Sequence, residues 1–176
     1  QMYRTELTDD LFQGHIEIQH GDGWVKPWRL PYTQRALFPS PNDDLLGRAE
    51  NTSGVRLRLA TASGTIRLGF EPLPASAPAA GRRGFCFDLT IDGELIATTS
   101  VLPEGTVAEF SDLPRQDKIV EIWLSQEIPV AISSLESDEP CRPATDDRRR
   151  WVTYGSSLTH CVRAHSPART WPAIVA

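Results

Sequence analysis

Ser157 is the residue of this sequence best placed to do chemistry. It sits in the run Arg150-Trp151-Val152-Thr153-Tyr154-Gly155-Ser156-Ser157-Leu158-Thr159-His160. Trp151, Val152 and Tyr154 predict a short strand over 150–154. Gly155 permits a sharp turn after it, because it has no Cβ to clash at positive φ. A helix is expected after Pro167, with Trp171, Ile174 and Val175 at helical spacing. A serine at a tight strand-to-helix junction exposes its hydroxyl above the sheet, and backbone N–H groups at the helix start can receive an oxyanion. The chemistry of such a site is nucleophilic attack on a carbonyl through an acyl-serine intermediate. The plainer alternative is a serine-rich turn whose hydroxyls cap a helix.

The wording of the turn resembles a family. Gly155-Ser156-Ser157-Leu158-Thr159 is similar to the first sequence block of the GDSL or SGNH hydrolases, Gly-Asp-Ser-Leu-Thr, with Ser156 in place of the usual Asp. The longer run from Trp151 to His160, and Ser166-Pro167-Ala168-Arg169-Thr170-Trp171-Pro172-Ala173 after it, resemble the subgroup that carries an N-terminal β-sandwich. The likeness covers the last quarter of the chain. It implies an esterase or acyltransferase with Ser157 as nucleophile and its backbone N–H as one oxyanion donor. Gly155, Ser156 and Thr159 would support the turn. It also implies a small-molecule ester or acylated carbohydrate as substrate, and no cofactor.

A serine nucleophile needs a general base, usually a histidine oriented by a carboxylate. The resemblance puts that pair in an Asp-x-x-His block near the C-terminus. It puts further oxyanion donors on a Gly and on an Asn, all after the nucleophile. Residues 158–176 contain no such block. His160 and His165 are near Ser157 in sequence, but a helical His160 points away from the Ser157 side chain. His15 and His20 belong to a first strand, with no Asp three residues before either. Asn42-Asp43 precedes the serine, so its order is wrong. Each histidine reads as structural, and no His, Cys or carboxylate cluster has metal-ligand spacing.

These gaps predict a chain that is the N-terminal portion of a longer enzyme and is itself inactive. Residues 1–143 would form the sandwich. Residues 144–176 would be a linker and the opening strand–turn–helix of a flavodoxin-like α/β hydrolase layer. Gln1 precedes Met2, which reads as the native start. An isolated strand–helix pair is marginal in water. Residues 150–176 are therefore expected to be mobile, to dock on the sandwich, or to pair with another copy through the strand edge.

The elements that must carry the turn are strands. Residues 14–20 alternate, and Trp24 to Leu30 continue as an extended segment in which Pro27 marks an edge or irregularity. Residues 31–47 read as a long loop with a short turn at Asp43 to Leu46. Val55 to Ala60 and Thr65 to Phe70 read as a hairpin turned at Ser63-Gly64, burying Leu57, Leu59, Ile66 and Leu68. Pro72 to Gly81 is a Pro/Ala-rich loop. Phe85 to Ile91 and Glu94 to Ser100 flank Asp92-Gly93, the strongest short hairpin signal. Val107 to Phe110 is short, Lys118 to Ser125 is apolar enough to be central, and Pro129 to Leu135 adds another strand. No ordinary helix is legible before residue 160. The fold class is mainly β: an antiparallel sandwich over about 14–136, with two sheets burying alternate residues against each other. The resemblance makes it jelly-roll-like. Residues 137–150, rich in acidic residues and arginine, read as the linker.

Composition narrows the function. The net charge is −5, and Arg148-Arg149-Arg150 sits beside Asp146-Asp147, so nucleic-acid binding is not expected. No apolar run approaches the span of a bilayer. The three cysteines, Cys86, Cys141 and Cys161, fit no metal spacing and read as free thiols of a cytoplasmic protein, with secretion left open. Five tryptophans keep a second class in view, a carbohydrate-binding sandwich that uses Trp24 or Trp28 for stacking. A third is a purely structural sandwich over a catalytic domain.

Overall fold

Alternating apolar residues from strands far apart in sequence face each other across one core. In the computed structural model, which describes residues 1–41, 44–72, 85–102 and 104–176, twelve strands form two antiparallel sheets. They are β1 (Tyr3–Thr5), β2 (Phe12–Gln13), β3 (Glu17–His20), β4 (Val25–Trp28), β5 (Arg56–Thr61), β6 (Ile66–Pro72), β7 (Phe85–Ile91), β8 (Glu94–Val101), β9 (Val107–Phe110), β10 (Lys118–Trp123), β11 (Val130–Ser137) and β12 (Arg142–Pro143). The first sheet runs β3-β4-β11-β6-β9, with β1 also on β11. The second runs β12-β5-β10-β7-β8, with β2 also on β5. Leu57, Leu59, Phe87, Leu89, Val120 and Ile122 point inward from the second sheet and meet Ile66, Leu68, Phe70, Ile132 and Leu135 from the first. The Phe70 ring lies 4.7 Å from that of Phe87 and 6.4 Å from that of Phe85. The mainly-β sandwich expected from the alternation is the observed architecture.

The expected hairpin of residues 55–70 does not form. β5 and β6 belong to opposite sheets, and Leu57, Leu59, Ile66 and Leu68 bury themselves by facing across the core rather than by lying side by side. The connection at Ser63-Gly64 is a corner between sheets, held by polar groups. The Asp138 carboxylate accepts from the Ser63 hydroxyl and from the backbone N–H groups of Gly64 (2.9 Å) and Thr65 (3.1 Å). The buried Lys118 ammonium donates to the Ser63 carbonyl at 2.7 Å. The Ser63 hydroxyl holds the Asp138 carboxyl well below the usual carboxylate range; burial opposes this, and the Thr65 and Gly64 amides and the Arg115 guanidinium add to it.

The second hairpin forms as expected. β7 and β8 pair from Phe85–Val101 to Ile91–Glu94, and Asp92 (φ 50°) and Gly93 (φ 91°) both take the left-handed conformation of a tight hairpin turn. A Cβ at Gly93 would meet nothing within 4 Å, so only backbone conformation opposes a side chain there. Gly93→Ala is expected to cost about 1–2 kcal/mol, the price of a left-handed L-residue, measured as a lower urea midpoint at unchanged slope.

Both long apolar strands are central, β10 between β5 and β7 and β11 between β4 and β6. Pro27 lies in β4, which reaches β11 only at Val25–Ile132, so the missing N–H of the proline falls past that ladder. Several elements were not legible: β1, β2, β12, and a seven-residue helix α1 (Asp44–Glu50) where a short turn was expected. Residues 73–81 of the expected loop, and Asn42-Asp43, lie outside the described residues. The stretch 137–150 runs against the second sheet. β12 pairs with β5, the Ala144 N–H donates to the Arg58 carbonyl, and Arg148 reaches Glu121. Cys86, Cys141 and Cys161 are free thiols. Among the described residues no helix is long and apolar enough to cross a membrane.

Candidate active site

The Ser157 turn starts from a glycine that a larger residue could not replace without a shift. A Cβ on Gly155 would fall 2.1 Å from Thr159 Oγ1, so the threonine hydroxyl occupies the space the glycine leaves open. Ser156 is extended (φ −86°, ψ −158°), and the short helix α2 (Ser157–His160) begins after it. The N–H groups of Thr159 and His160 both donate to the Ser156 carbonyl, at 3.0 and 3.1 Å, and Cys161 ends the helix in the left-handed conformation. The Ser156 side chain makes no capping hydrogen bond. The exposed Ser157 hydroxyl has no partner among the described residues, so neither hydroxyl is used as a cap. The Ser157 and Leu158 amides, at the start of the helix, are among the donors that a helix cannot satisfy internally.

The strand expected over 150–154 is absent. Residues 151–155 have no regular structure, and Trp151, Val152 and Tyr154 are exposed. A strand exists only when an edge pairs with it, and among the described residues no edge does. Trp151 instead approaches Trp171, ring centroids 6.2 Å apart. The helix expected after Pro167 appears as a 3-10 turn, Pro167–Arg169, followed by α3 (Trp171–Val175).

Of the fates expected for the terminal segment, docking on the sandwich is the one observed. His160 carries the first link. Its Nε2 lies 2.9 Å from the Gln126 carbonyl, and its own carbonyl accepts from the Ser53 hydroxyl at 3.0 Å. Gln126 Nε2 donates to the Ala164 carbonyl at 3.0 Å. Asp88, fully buried in β7, accepts from the Ala168 N–H at 2.8 Å and from the Thr98 hydroxyl at 2.6 Å. Ser166, Pro167 and Thr170 are buried in this contact, and the Trp171 indole N–H returns to the Leu158 carbonyl at 3.1 Å. One signal for this was present in the residues, a carboxylate at an otherwise apolar strand position in Phe85-Cys86-Phe87-Asp88-Leu89. Ser53 and Gln126 carried none. Ser53→Ala combined with Gln126→Ala removes two of these links, each worth about 1 kcal/mol. Hydrogen exchange should then speed up at the amides of 159–164 while the β7 and β10 amides keep their protection.

No histidine hydrogen-bonds to Ser157. Burial holds the His160 imidazole below its ordinary pKa, with the nearby Arg29 and Arg48 charges adding to this and the Gln126 bond opposing it, so the neutral ring donates Nε2–H to Gln126. His15 is half-buried edge-on to Phe12 at 6.3 Å, and His20 pairs with Asp9 at 2.9 Å. His165 is exposed. Among the described residues no group of three or more His, Cys, Asp or Glu side chains is placed to hold a metal.

The comparisons with known proteins bear on the sandwich first. The signature of the SsfX3 N-terminal domain matches residues 11–128, most of the two sheets. The chain belongs to the SsfX3 N-terminal domain family. The solved structure of the salicylyl-acyltransferase SsfX3 from a tetracycline biosynthetic pathway matches it at 30% identity and a TM-score of 0.85 over 98% of this chain. That match takes in 50% of SsfX3, so the chain spans about half the length of this relative. A GDSL-like lipase from Bacteroides ovatus shares the fold at 19% identity and a TM-score of 0.73, over 99% of this chain and 52% of its own. A search of curated proteins finds no match. The GDSL/SGNH resemblance is carried by residues 151–173, outside the SsfX3 N-terminal domain match, and by Asp88 to Gly93 and Val120 to Leu124, inside it. The two assignments agree.

Proposed function

We propose that this chain is the N-terminal portion of an SGNH-type acyl-transfer enzyme in which Ser157 is the nucleophile. The observation that carries the proposal is the free, exposed Ser157 hydroxyl on the first turn of α2, attached to a sandwich of the SsfX3 family. Its oxygen attacks the carbonyl carbon of a small-molecule ester, and the Ser157 N–H faces the oxyanion that forms. Collapse expels the alcohol and leaves an acyl-serine, which water or an acceptor hydroxyl then cleaves. The proton of Ser157 goes to a base that lies outside residues 1–176, in the part of the protein corresponding to the other half of SsfX3. Supporting this is the engagement of His160 with Gln126, which turns the nearest imidazole toward the sandwich.

In this reading residues 1–143 are the sandwich domain and 144–176 begin the catalytic layer. The exposed Val152, Tyr154, Leu158, Ile174 and Val175 are the face that the rest of that layer covers. Left uncovered, the same face favours self-association. The free thiols suit a cytoplasmic protein. The test is labelling with a fluorophosphonate and turnover of p-nitrophenyl acetate, in the 176-residue chain and in a chain extended through the catalytic layer, each with and without Ser157→Ala. Serine-dependent labelling of the extended chain supports the reading, and labelling indifferent to Ser157 removes it.

A further inference from the structure

A cleft of about 450 Å³ opens in the first sheet where two strands share one edge of β11. β4 holds that edge at Val25–Ile132, and β1 takes it over at Thr5–Leu135. A register shift between Ile132 and Ser134 falls between them, so the two strands part at Ser133 and the gap is lined by side chains of both. No residue of the Ser157 turn, nor Ser53 or Gln126, which hold it, lines this cleft.

Trp24 forms one wall and is fixed there by its neighbour. A Cβ on Gly21 would lie 2.0 Å from Trp24 Cε2, 2.3 Å from Cζ2 and 2.5 Å from Nε1. Three bonded ring atoms at such similar distances put that point over the face of the indole rather than at its edge. One face of the ring therefore lies on the Gly21 backbone, and the Gly21 N–H to Trp24 carbonyl bond at 2.9 Å closes the turn beneath it. Trp24 lines the cleft and is only half-buried, so its ring is not wholly covered by the Gly21 turn. On the same cleft, the exposed Arg4 gives one N–H to the Ser133 carbonyl at 3.3 Å, while the exposed Glu6 carboxylate has no partner among the described residues.

We propose that this cleft binds a pyranose sugar ring, with the indole of Trp24 against its C–H face and Arg4 and Glu6 on its hydroxyls. A fixed aromatic platform beside a donor-only and an acceptor-only group matches a ring with one apolar face and hydroxyls at its edge. An anion is disfavoured on Arg4 because Glu6 lines the same cleft. A wholly apolar ligand is disfavoured because the cleft is open, whereas such ligands need most of their surface covered. The site is independent of the acyl-transfer reading.

Amide chemical shifts of the 176-residue chain, titrated separately with cellohexaose, xylohexaose, mannohexaose and galactohexaose at millimolar concentration, test the proposal. At least one of these is expected to move the amides of residues 4–6 and 20–24. Trp24→Ala should weaken that binding at least tenfold, Glu6→Gln severalfold, and Trp171→Ala not at all. Glu6 sits on an exposed loop, so its variant keeps the test valid if Trp24→Ala lowers the thermal midpoint. The proposal is overturned if none of the four sugars moves those amides, if Trp24→Ala and Glu6→Gln bind as tightly as the parent, or if benzoate displaces the bound sugar from the site.

Discussion

Ser157→Ala, made in a chain extended through the catalytic layer, is expected to lose ester turnover by roughly 10³-fold or more while remaining folded. The stability half of this expectation follows from geometry. The side chain is exposed and makes no hydrogen bond among the described residues, so the variant should stay within about 0.5 kcal/mol of the parent. The activity half follows from the order of parts. Among the described residues no histidine hydrogen-bonds to the hydroxyl, and base assistance alone contributes roughly 10²–10⁴-fold. That chain should turn over p-nitrophenyl acetate no faster than its own Ser157→Ala variant. Serine-dependent turnover there would instead make a local imidazole the base; His165, which is exposed, would be the first to test because His160 is engaged with Gln126. Turnover of the extended chain that survives Ser157→Ala would remove the serine from the mechanism altogether.

What could be read from the sequence was what local chemistry decides. The β7–β8 hairpin was legible because Asp92-Gly93 demands two left-handed residues, and only one kind of turn supplies them. β10 was legible as central because its residues are buried on both faces. The pairing of β5 with β6 was misread because alternation reports which residues face the core, not which sheet they belong to. Two strands facing across a sandwich show the same pattern as two strands side by side. The deciding contact, Ser63 with Asp138, spans 75 residues of sequence and is carried by polar side chains. The strand at 150–154 was misread for a related reason: β-formers give a segment its extended character, but a neighbouring edge makes it a strand. At the candidate site the turn Gly155-Ser156-Ser157 was legible from types and spacing. Its support was not, because Ser53, Asp88 and Gln126 reach it from three loops and strands with no motif between them.

Glu121→Ala is expected to destabilise the sandwich by about 3–5 kcal/mol, the usual cost of removing one member of a buried charge cluster. Glu121 projects from β10 on the outer face of the second sheet, and its side chain is 4% exposed. Its Oε1 accepts from Arg58 at 2.8 Å, Arg56 at 3.1 Å and Arg148 at 2.6 Å. Arg148 is 45% exposed and can turn to water when the carboxylate is lost, with Asp146 still paired to it at 2.7 Å. Arg56 and Arg58 cannot, being 15% and 16% exposed, and Arg56 lies over the Trp123 ring at 4.7 Å. Their charge would stay buried with fewer partners. At about 2–4 °C per kcal/mol for a chain of this size, the thermal midpoint should fall well outside error. Acid should act through the same group. Burial opposes ionisation of Glu121, but the Arg56 and Arg148 charges and hydrogen bonds outweigh it and hold the carboxyl below its ordinary value of 4.5. Between the folded value and 4.5 the unfolded chain binds more protons than the folded one, so this stability is present above 4.5 and is lost as the pH falls through the folded value. Glu121→Gln keeps the shape and cannot titrate. Its stability should be lower than the parent's at neutral pH, and the gap should narrow on acidification below 4.5, as urea midpoints across that range would read. Equal stability of parent and Glu121→Gln at neutral pH would mean that the arginines regain water in the folded state and that the cluster does not hold this face together.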